Sequence, residues 1–325
     1  MKEKRLFKFG VLALSIVLIA CTGGSAEAGC PEIDGREINV VATTPMIGEF
    51  VSQVGGDNIN LTVLMPAEAD PHTYDPAPQD AGAIADADLV FYTGLKYEPA
   101  ALIKLLENSA CSAEVLAEVG ESVFPIEFKE GDHDDHDEEG HDDHAGHDHG
   151  AYDPHFWFDP NRVAYATEYI ESKLVESDPS NASEYEVAGK AYVTELKGLV
   201  SKVSELISTV PSQNRKLITT HESLGYLEAK FGLEVLSTII PSIDSANEIS
   251  PSQLVGVIDI IEDNNIKVIF IEAEAPSVYA ETIVAETGIK AVEGLWVETL
   301  KEGQSYPEFL FDAVELIVEN LRNTD

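Results

Sequence analysis

Residues 38–93 read INVVATTPMIGEFVSQVGGDNINLTVLMPAEADPHTYDPAPQDAGAIADADLVFYT, and the order of the short apolar runs in this stretch decides the fold class. Residues 38–43 (INVVAT), 60–64 (NLTVL) and 88–93 (DLVFYT) are brief and rich in β-branched side chains, as strands are. Between and after them, residues 46–54, 78–85 and 99–108 show helical spacing, and Pro78 and Pro99 stand where a first helical position tolerates a missing N–H. Such an alternation implies a parallel sheet with crossover helices. It recurs downstream, with strands expected at 216–220, 233–238, 267–271 and 291–295 and helices at 222–231, 251–264, 276–287 and 306–321. The reading is therefore α/β, with one parallel-sheet lobe over 38–178 and a second over 212–325.

A longer helix is expected between the lobes, over 179–211. Asp178-Pro179 supplies a cap followed by proline, Pro211 a stop, and Tyr185, Ala188, Tyr192, Leu196, Leu199, Val203, Leu206 and Val210 recur at spacings of three and four. At 1.5 Å per residue it would run roughly 45 Å, enough to pass behind both lobes. Another helix, 161–176, precedes it.

The N-terminus is read apart from the fold. Lys2, Lys4, Arg5 and Lys8 precede the apolar run 9–20, the pattern of an export signal over residues 1–20. Leu18-Ile19-Ala20-Cys21 fits the bacterial lipobox, in which the cysteine is lipidated and becomes the new N-terminus. Residues 21–37, rich at first in Gly, Ser and Ala, then read as a tether. Export leaves Cys30 and Cys111 in an oxidising compartment, where two remaining thiols are expected to pair.

Composition narrows the partners. The chain of 325 residues carries 59 Asp plus Glu against 20 Lys plus Arg, a formal net charge of −39, which argues against a nucleic-acid or anionic-membrane surface and favours cations. Residues 130–149, EGDHDDHDEEGHDDHAGHDH, concentrate that character. They offer His133, His136, His141, His144, His147 and His149 among carboxylates, with no apolar residue larger than alanine, and are expected to form a disordered loop that binds divalent transition metals weakly.

Three histidines lie outside that tract. His72 follows the second strand, His155 sits in Asp153-Pro154-His155-Phe156-Trp157-Phe158-Asp159-Pro160 before a helix, and His221 follows the strand at 216–220. In α/β sheets ligands gather beyond the carboxyl ends of strands, so three histidines in such loops point to one metal site.

The motifs Pro71-His72-Thr73-Tyr74-Asp75-Pro76, Ala87-Asp88-Leu89-Val90-Phe91-Tyr92-Thr93-Gly94-Leu95, Asp153 through Pro160, and Thr220-His221-Glu222-Ser223-Leu224-Gly225-Tyr226 closely resemble the zinc- and manganese-binding solute-binding lipoproteins of metal ABC importers. The resemblance covers about 38–321 and includes the His-rich loop of zinc-type members. It implies two lobes bridged by a long rigid helix, a metal ion in the cleft between them, and ligands at His72, His155 and His221. The fourth family ligand, usually Asp, falls here on Glu298 within Leu295-Trp296-Val297-Glu298-Thr299-Leu300, one methylene longer; Glu272 and Glu274 are the alternatives. Asp70, Asp153 and Glu222 adjoin ligands and are candidates for orienting them. Three imidazoles and one carboxylate suit Zn²⁺, whereas Mn²⁺ prefers more oxygens, although the family also admits manganese and iron.

The implied partners are an ABC permease with its ATPase, the divalent ion, and the membrane through a lipid anchor on its outer face, with the chain acting as a monomer and not as an enzyme. A three-His zinc hydrolase is the competing class, but it needs an open coordination position and a base. The chain has no His-Glu-x-x-His helix and no Gly-x-Ser-x-Gly elbow. An adhesin or extracellular metal buffer would carry the same residues, and transport with the permease deleted separates it from import.

Overall fold

The computed structural model describes residues 30, 33, 35–128, 152–242, 248–274 and 278–322. The segment 1–20, Cys21 and the histidine tract with His133, His136, His141, His144, His147 and His149 lie outside the described residues.

The first lobe is built from β1 (Ile38–Ala42), α1 (Pro45–Gly55), β2 (Ile59–Val63), α2 (Pro78–Ala85), β3 (Leu89–Tyr92), α3 (Ala100–Ser109) and β4 (Leu116–Glu118). Its strands form one parallel sheet in the order β2-β1-β3-β4. Local chemistry sets the helix starts. The Thr44 hydroxyl accepts from the Ile47 N–H ahead of Pro45 in α1. In α2 the Asp80 carboxylate reaches back to the Ala77 N–H at 2.7 Å and also accepts from the Tyr74 hydroxyl at 2.7 Å. Pro99, expected inside α3, caps it instead. The strand β4 was not expected, because three residues are too few to display a period.

Two helices follow, α4 (Pro160–Ser177) and α5 (Ala182–Ser208). The latter is shorter than the expected 179–211. Asp178 closes a separate turn first, accepting from the Ser180 N–H, the Asn181 amide and, at 2.9 Å, the Tyr185 hydroxyl. With 27 residues α5 spans about 40 Å. It buries Tyr185, Gly189, Tyr192, Val193, Leu196, Leu199, Val203 and Ile207, so Gly189 and Ile207 take the buried places expected of Ala188 and Leu206.

The second lobe comprises β5 (Lys216–Thr219), α6 (Gly225–Phe231), β6 (Glu234–Thr238), α7 (Pro251–Asp263), β7 (Val268–Glu272), α8 (Val278–Thr287), β8 (Lys290–Leu295) and α9 (Tyr306–Leu321). Its strands pair in parallel as β5-β6 and β7-β8, and the Glu272 N–H donates to the Thr220 hydroxyl at 3.0 Å to link the pairs. Helix α6 begins at Gly225, later than expected, because residues 221–224 form a turn in which the Ser223 N–H donates to the His221 carbonyl.

One continuous apolar core joins the lobes. Val40 and Phe50 from the first, Tyr192 and Leu196 from α5, and Phe270, Leu295 and Val314 from the second belong to the same buried cluster. Phe50 meets Tyr306 edge-on across the lobes at 5.3 Å. Smaller clusters fill the outer faces, around Ile84 and Leu102 in the first lobe and Ile218 and Ile261 in the second. Pulling the lobes apart would expose the shared core to water, which opposes a wide hinge.

The expected tether over 21–37 ends earlier. Cys30 is bonded to Cys111, and the Arg36 guanidinium grips both Asp88 oxygens at 2.6 and 2.7 Å, so the chain is fastened before β1 begins. Among the described residues no helix is long and apolar enough to cross a membrane.

Candidate metal centre

Four loops converge between the lobes. His72 lies in a single tight turn, Pro71–Thr73, between β2 and α2, and the Asp70 carboxylate caps that turn by accepting the His72 N–H at 2.9 Å. His155 precedes α4, His221 follows β5, and Glu298 follows β8. One ligand atom from each of the four lies within 4.8 Å of every other, and His155, His221 and Glu298 are buried.

A single oxygen organises the cluster. Glu298 Oε1 stands 2.6 Å from His221 Nε2, 3.2 Å from His155 Nε2 and 3.5 Å from His72 Nε2. His72 Nε2 is buried and makes no hydrogen bond among the described residues. Buried polar atoms without partners are uncommon, and nitrogens aimed at a shared point suit a cation better than one another.

Carboxylates on the far side set the ring orientations. His155 Nδ1 lies 2.8 Å from Asp153 Oδ1, which also accepts the His155 N–H at 2.8 Å. His221 Nδ1 lies 2.5 Å from Glu272 Oε2, while Glu272 Oε1 accepts from the His221 N–H and the Ser223 hydroxyl, each at 3.2 Å. With Nδ1 engaged in this way, Nε2 is the nitrogen turned to the centre. Gly225 allows this arrangement, since a Cβ there would meet Asp153 Oδ2 at 2.6 Å.

These neighbours also correct the sequence reading. Glu272 and Glu274, the alternative ligands, brace the centre from behind: Glu272 grips His221, and Glu274 Oε1 accepts the backbone N–H groups of Val297, Glu298 and Thr299 at 3.0, 2.9 and 3.3 Å. Glu222, despite adjoining His221, turns away and accepts from the Thr238 hydroxyl at 3.0 Å. Asp70 holds the backbone at His72, and Asp153 alone of the three adjoining carboxylates meets an imidazole ring. Tyr97 escaped the sequence reading. Its hydroxyl donates to Glu298 Oε2 at 2.9 Å and lies 3.1 Å from the Glu298 carbonyl. The only signal was its place in the loop after β3, on the same side as the ligand loops.

Electrostatics follow from that packing. Burial alone would lower the His155 pKa, but Glu298 and Asp153 outweigh it and push the group up to about 9. Burial likewise opposes a charged His221, yet Glu272 and Glu298 hold it well above its ordinary value. Burial would raise Glu298, and the three imidazoles instead draw it well below the ordinary carboxylate range. Without metal the cluster therefore stores protons on imidazoles around one carboxylate. A divalent cation held there would have to displace those protons.

Residues 40–320 match the family described as zinc-uptake complex component A, periplasmic. The high-affinity zinc uptake system protein ZnuA of Bacillus subtilis is 30% identical over 96% of this chain and 96% of its own length. The manganese ABC transporter substrate-binding lipoprotein PsaA of Streptococcus anginosus is 28% identical, over 98% of this chain and 99% of its own. Among solved structures, the periplasmic zinc-binding protein TroA from Treponema pallidum superposes with a TM-score of 0.75 at 22% identity, covering 88% of this chain and all of that one, which shows the shared fold. The chain belongs to the zinc-uptake component A family, the extracytoplasmic metal-binding, non-enzymatic substrate-binding components of metal ABC importers.

Proposed function

We propose that the chain captures Zn²⁺ outside the cytoplasmic membrane at His72, His155, His221 and Glu298 and delivers it to an ABC permease driven by its ATPase. The observation that carries this reading is the convergence of three imidazole Nε2 atoms on one carboxylate oxygen, two of the rings braced from behind by carboxylates. A donor set of three nitrogens and one oxygen suits tetrahedral zinc, with Zn–N and Zn–O bonds of about 2.0–2.2 Å. Four protein ligands leave no position for an activated water, which supports binding without turnover. The zinc relative from Bacillus subtilis adds support; the manganese name of the streptococcal relative keeps manganese as the ion to test against.

Cys21 is proposed as the lipid attachment point, holding a monomer at the outer membrane face, with His133, His136, His141, His144, His147 and His149 as an auxiliary collector of cations. The shared core resists wide lobe opening, so release proceeds through loop movement. The loop of His72 is the natural gate, because this side chain is 5% exposed while those of His155 and His221 are 0% exposed.

His72→Ala, His155→Ala and His221→Ala are each expected to leave a folded protein whose zinc affinity is strongly reduced in calorimetry. A variant that keeps its affinity removes its residue from the centre. Loss of zinc-limited growth on deleting either the chain or its permease would support import. Normal growth without the permease would favour a metal buffer.

A further inference from the structure

The hydrogen bond between Tyr97 and Glu298 divides the labour of the carboxylate. Oε1 faces the three imidazoles, and Oε2 accepts from the Tyr97 hydroxyl at 2.9 Å. Tyr97 has little freedom to let go. It is 1% exposed, with its ring against His72 at 5.4 Å, His155 at 6.0 Å and Trp157 at 5.2 Å. Trp157 in turn donates its indole N–H to the Val297 carbonyl at 2.8 Å, fixing the same loop from its other side.

The backbone before Tyr97 is built to place it. Gly94, Leu95 and Lys96 have φ of 76°, 55° and 64°, three successive residues in left-handed conformation. For a non-glycine residue that conformation costs about 1 kcal/mol or more, and it persists only where the surroundings enforce it. Here Glu98 accepts the Thr93 and Gly94 N–H groups at 2.6 and 2.9 Å, Glu118 accepts the Leu95 N–H at 3.0 Å, and the Tyr97 N–H closes the turn on the Gly94 carbonyl at 2.9 Å. Gly120 packs beneath, and a Cβ there would lie 2.6 Å from the Thr93 carbonyl oxygen.

We propose that Tyr97 is a positioning residue for metal choice, holding one oxygen of Glu298 so that the carboxylate reaches the ion through the other alone. The inference rests on the four-ligand reading of the centre given above. A carboxylate limited to one oxygen completes a four-coordinate, nitrogen-rich shell, which zinc accepts and manganese does not favour. Released from Tyr97, Glu298 can bind through both oxygens and offer manganese the extra oxygen ligand it prefers. The additional methylene of Glu298, relative to aspartate, is what lets one side chain span the imidazoles and the tyrosine together.

The test is Tyr97→Phe, which keeps the ring packing and removes only the donor. Dissociation constants for Zn²⁺ and Mn²⁺ are measured by chelator competition, and the zinc shell by X-ray absorption. The zinc-to-manganese affinity ratio should fall about tenfold, and the zinc shell should gain an oxygen. Glu298→Asp, too short to reach both partners, should move the ratio in the same direction and supplies the reading if Tyr97→Phe fails to fold. An unchanged zinc-to-manganese ratio in a folded variant overturns the proposal. His155→Ala run in parallel separates the two failures: if it abolishes tight binding while Tyr97→Phe leaves the ratio unchanged, only the role of Tyr97 falls. If His155→Ala still binds tightly, the four-ligand centre falls and the proposal with it.

Discussion

Replacing Glu272 by Gln tests how much of the centre depends on groups that never touch the ion. Glu272 is 1% exposed and serves three donors at once: His221 Nδ1 at 2.5 Å through Oε2, and the His221 N–H and Ser223 hydroxyl through Oε1. A glutamine carbonyl can still accept from Nδ1, but its amide then faces the His221 N–H, donor against donor. Leaving one buried group unsatisfied costs about 1–3 kcal/mol, and loss of a carboxylate behind a metal-bound imidazole weakens metal binding about 10- to 100-fold. That range corresponds to about 1.4–2.7 kcal/mol. Neutralising Glu272 also removes the leading cause that raises the His221 pKa, so fewer protons compete with the ion; the loss should therefore be smaller at pH 7 than at pH 9. Zinc titrations against a competing chelator at both pH values read this directly. Glu222→Gln is the matched control, expected to bind within about twofold of the parent, since Glu222 faces Thr238 and not the ring. Parental affinity for Glu272→Gln at both pH values would show that the carboxylate behind His221 does not support the ion.

Four further outcomes are expected. At pH 7.5 the metal-free protein is expected to hold a proton on His155, whose pKa is pushed up to about 9, with the raised His221 acting in the same direction, so zinc binding should release at least one proton, visible as a dependence of binding heat on buffer ionisation enthalpy. For stability without metal, the raised His155 contributes fully below its ordinary value of 6.5 and loses that contribution as pH rises through about 9. The lowered Glu298 contributes above its ordinary 4.5 and is lost as pH falls, so the Tm gained on adding zinc should grow from pH 6 to 9. Deleting 131–149 should preserve one tight zinc per chain and abolish the weaker ions counted by calorimetry; loss of the tight ion from a folded deletion variant would move the functional site into the tract. Cys111→Ser opens a loop of 81 residues and should cost about 4 kcal/mol in urea unfolding with zinc affinity unchanged, and a stability equal to the parent's would remove the cross-link from the account.

Most of the architecture was legible because its elements are long enough to show a period. The apolar spacing along α5 marked its helix, if three residues too long at each end, and the prolines that open α2 and α7 marked theirs closely. Strand β4 was invisible because Leu116–Glu118 is too short to alternate, and it exists through its pairing with β3. The start of α6 was misplaced because residues 221–224 spend their backbone groups on a turn that presents His221. At the centre, histidines beyond strand ends were readable by type and position. Which carboxylate braces which ring was not, since Glu272 meets His221 across 51 residues of chain, while the adjacent Glu222 points elsewhere. Tyr97 left no trace in its own motif, because its role depends on a partner 201 residues away.

The central claim is tested most directly by a crystal structure of the zinc-loaded protein with anomalous data collected on both sides of the zinc edge. The account predicts one strong anomalous peak between the lobes, bonded to Nε2 of His72, His155 and His221 and to Oε1 of Glu298 at about 2.0–2.2 Å. A single peak held elsewhere, or an ion at the three imidazoles with Glu298 withdrawn and another group in its place, would contradict it.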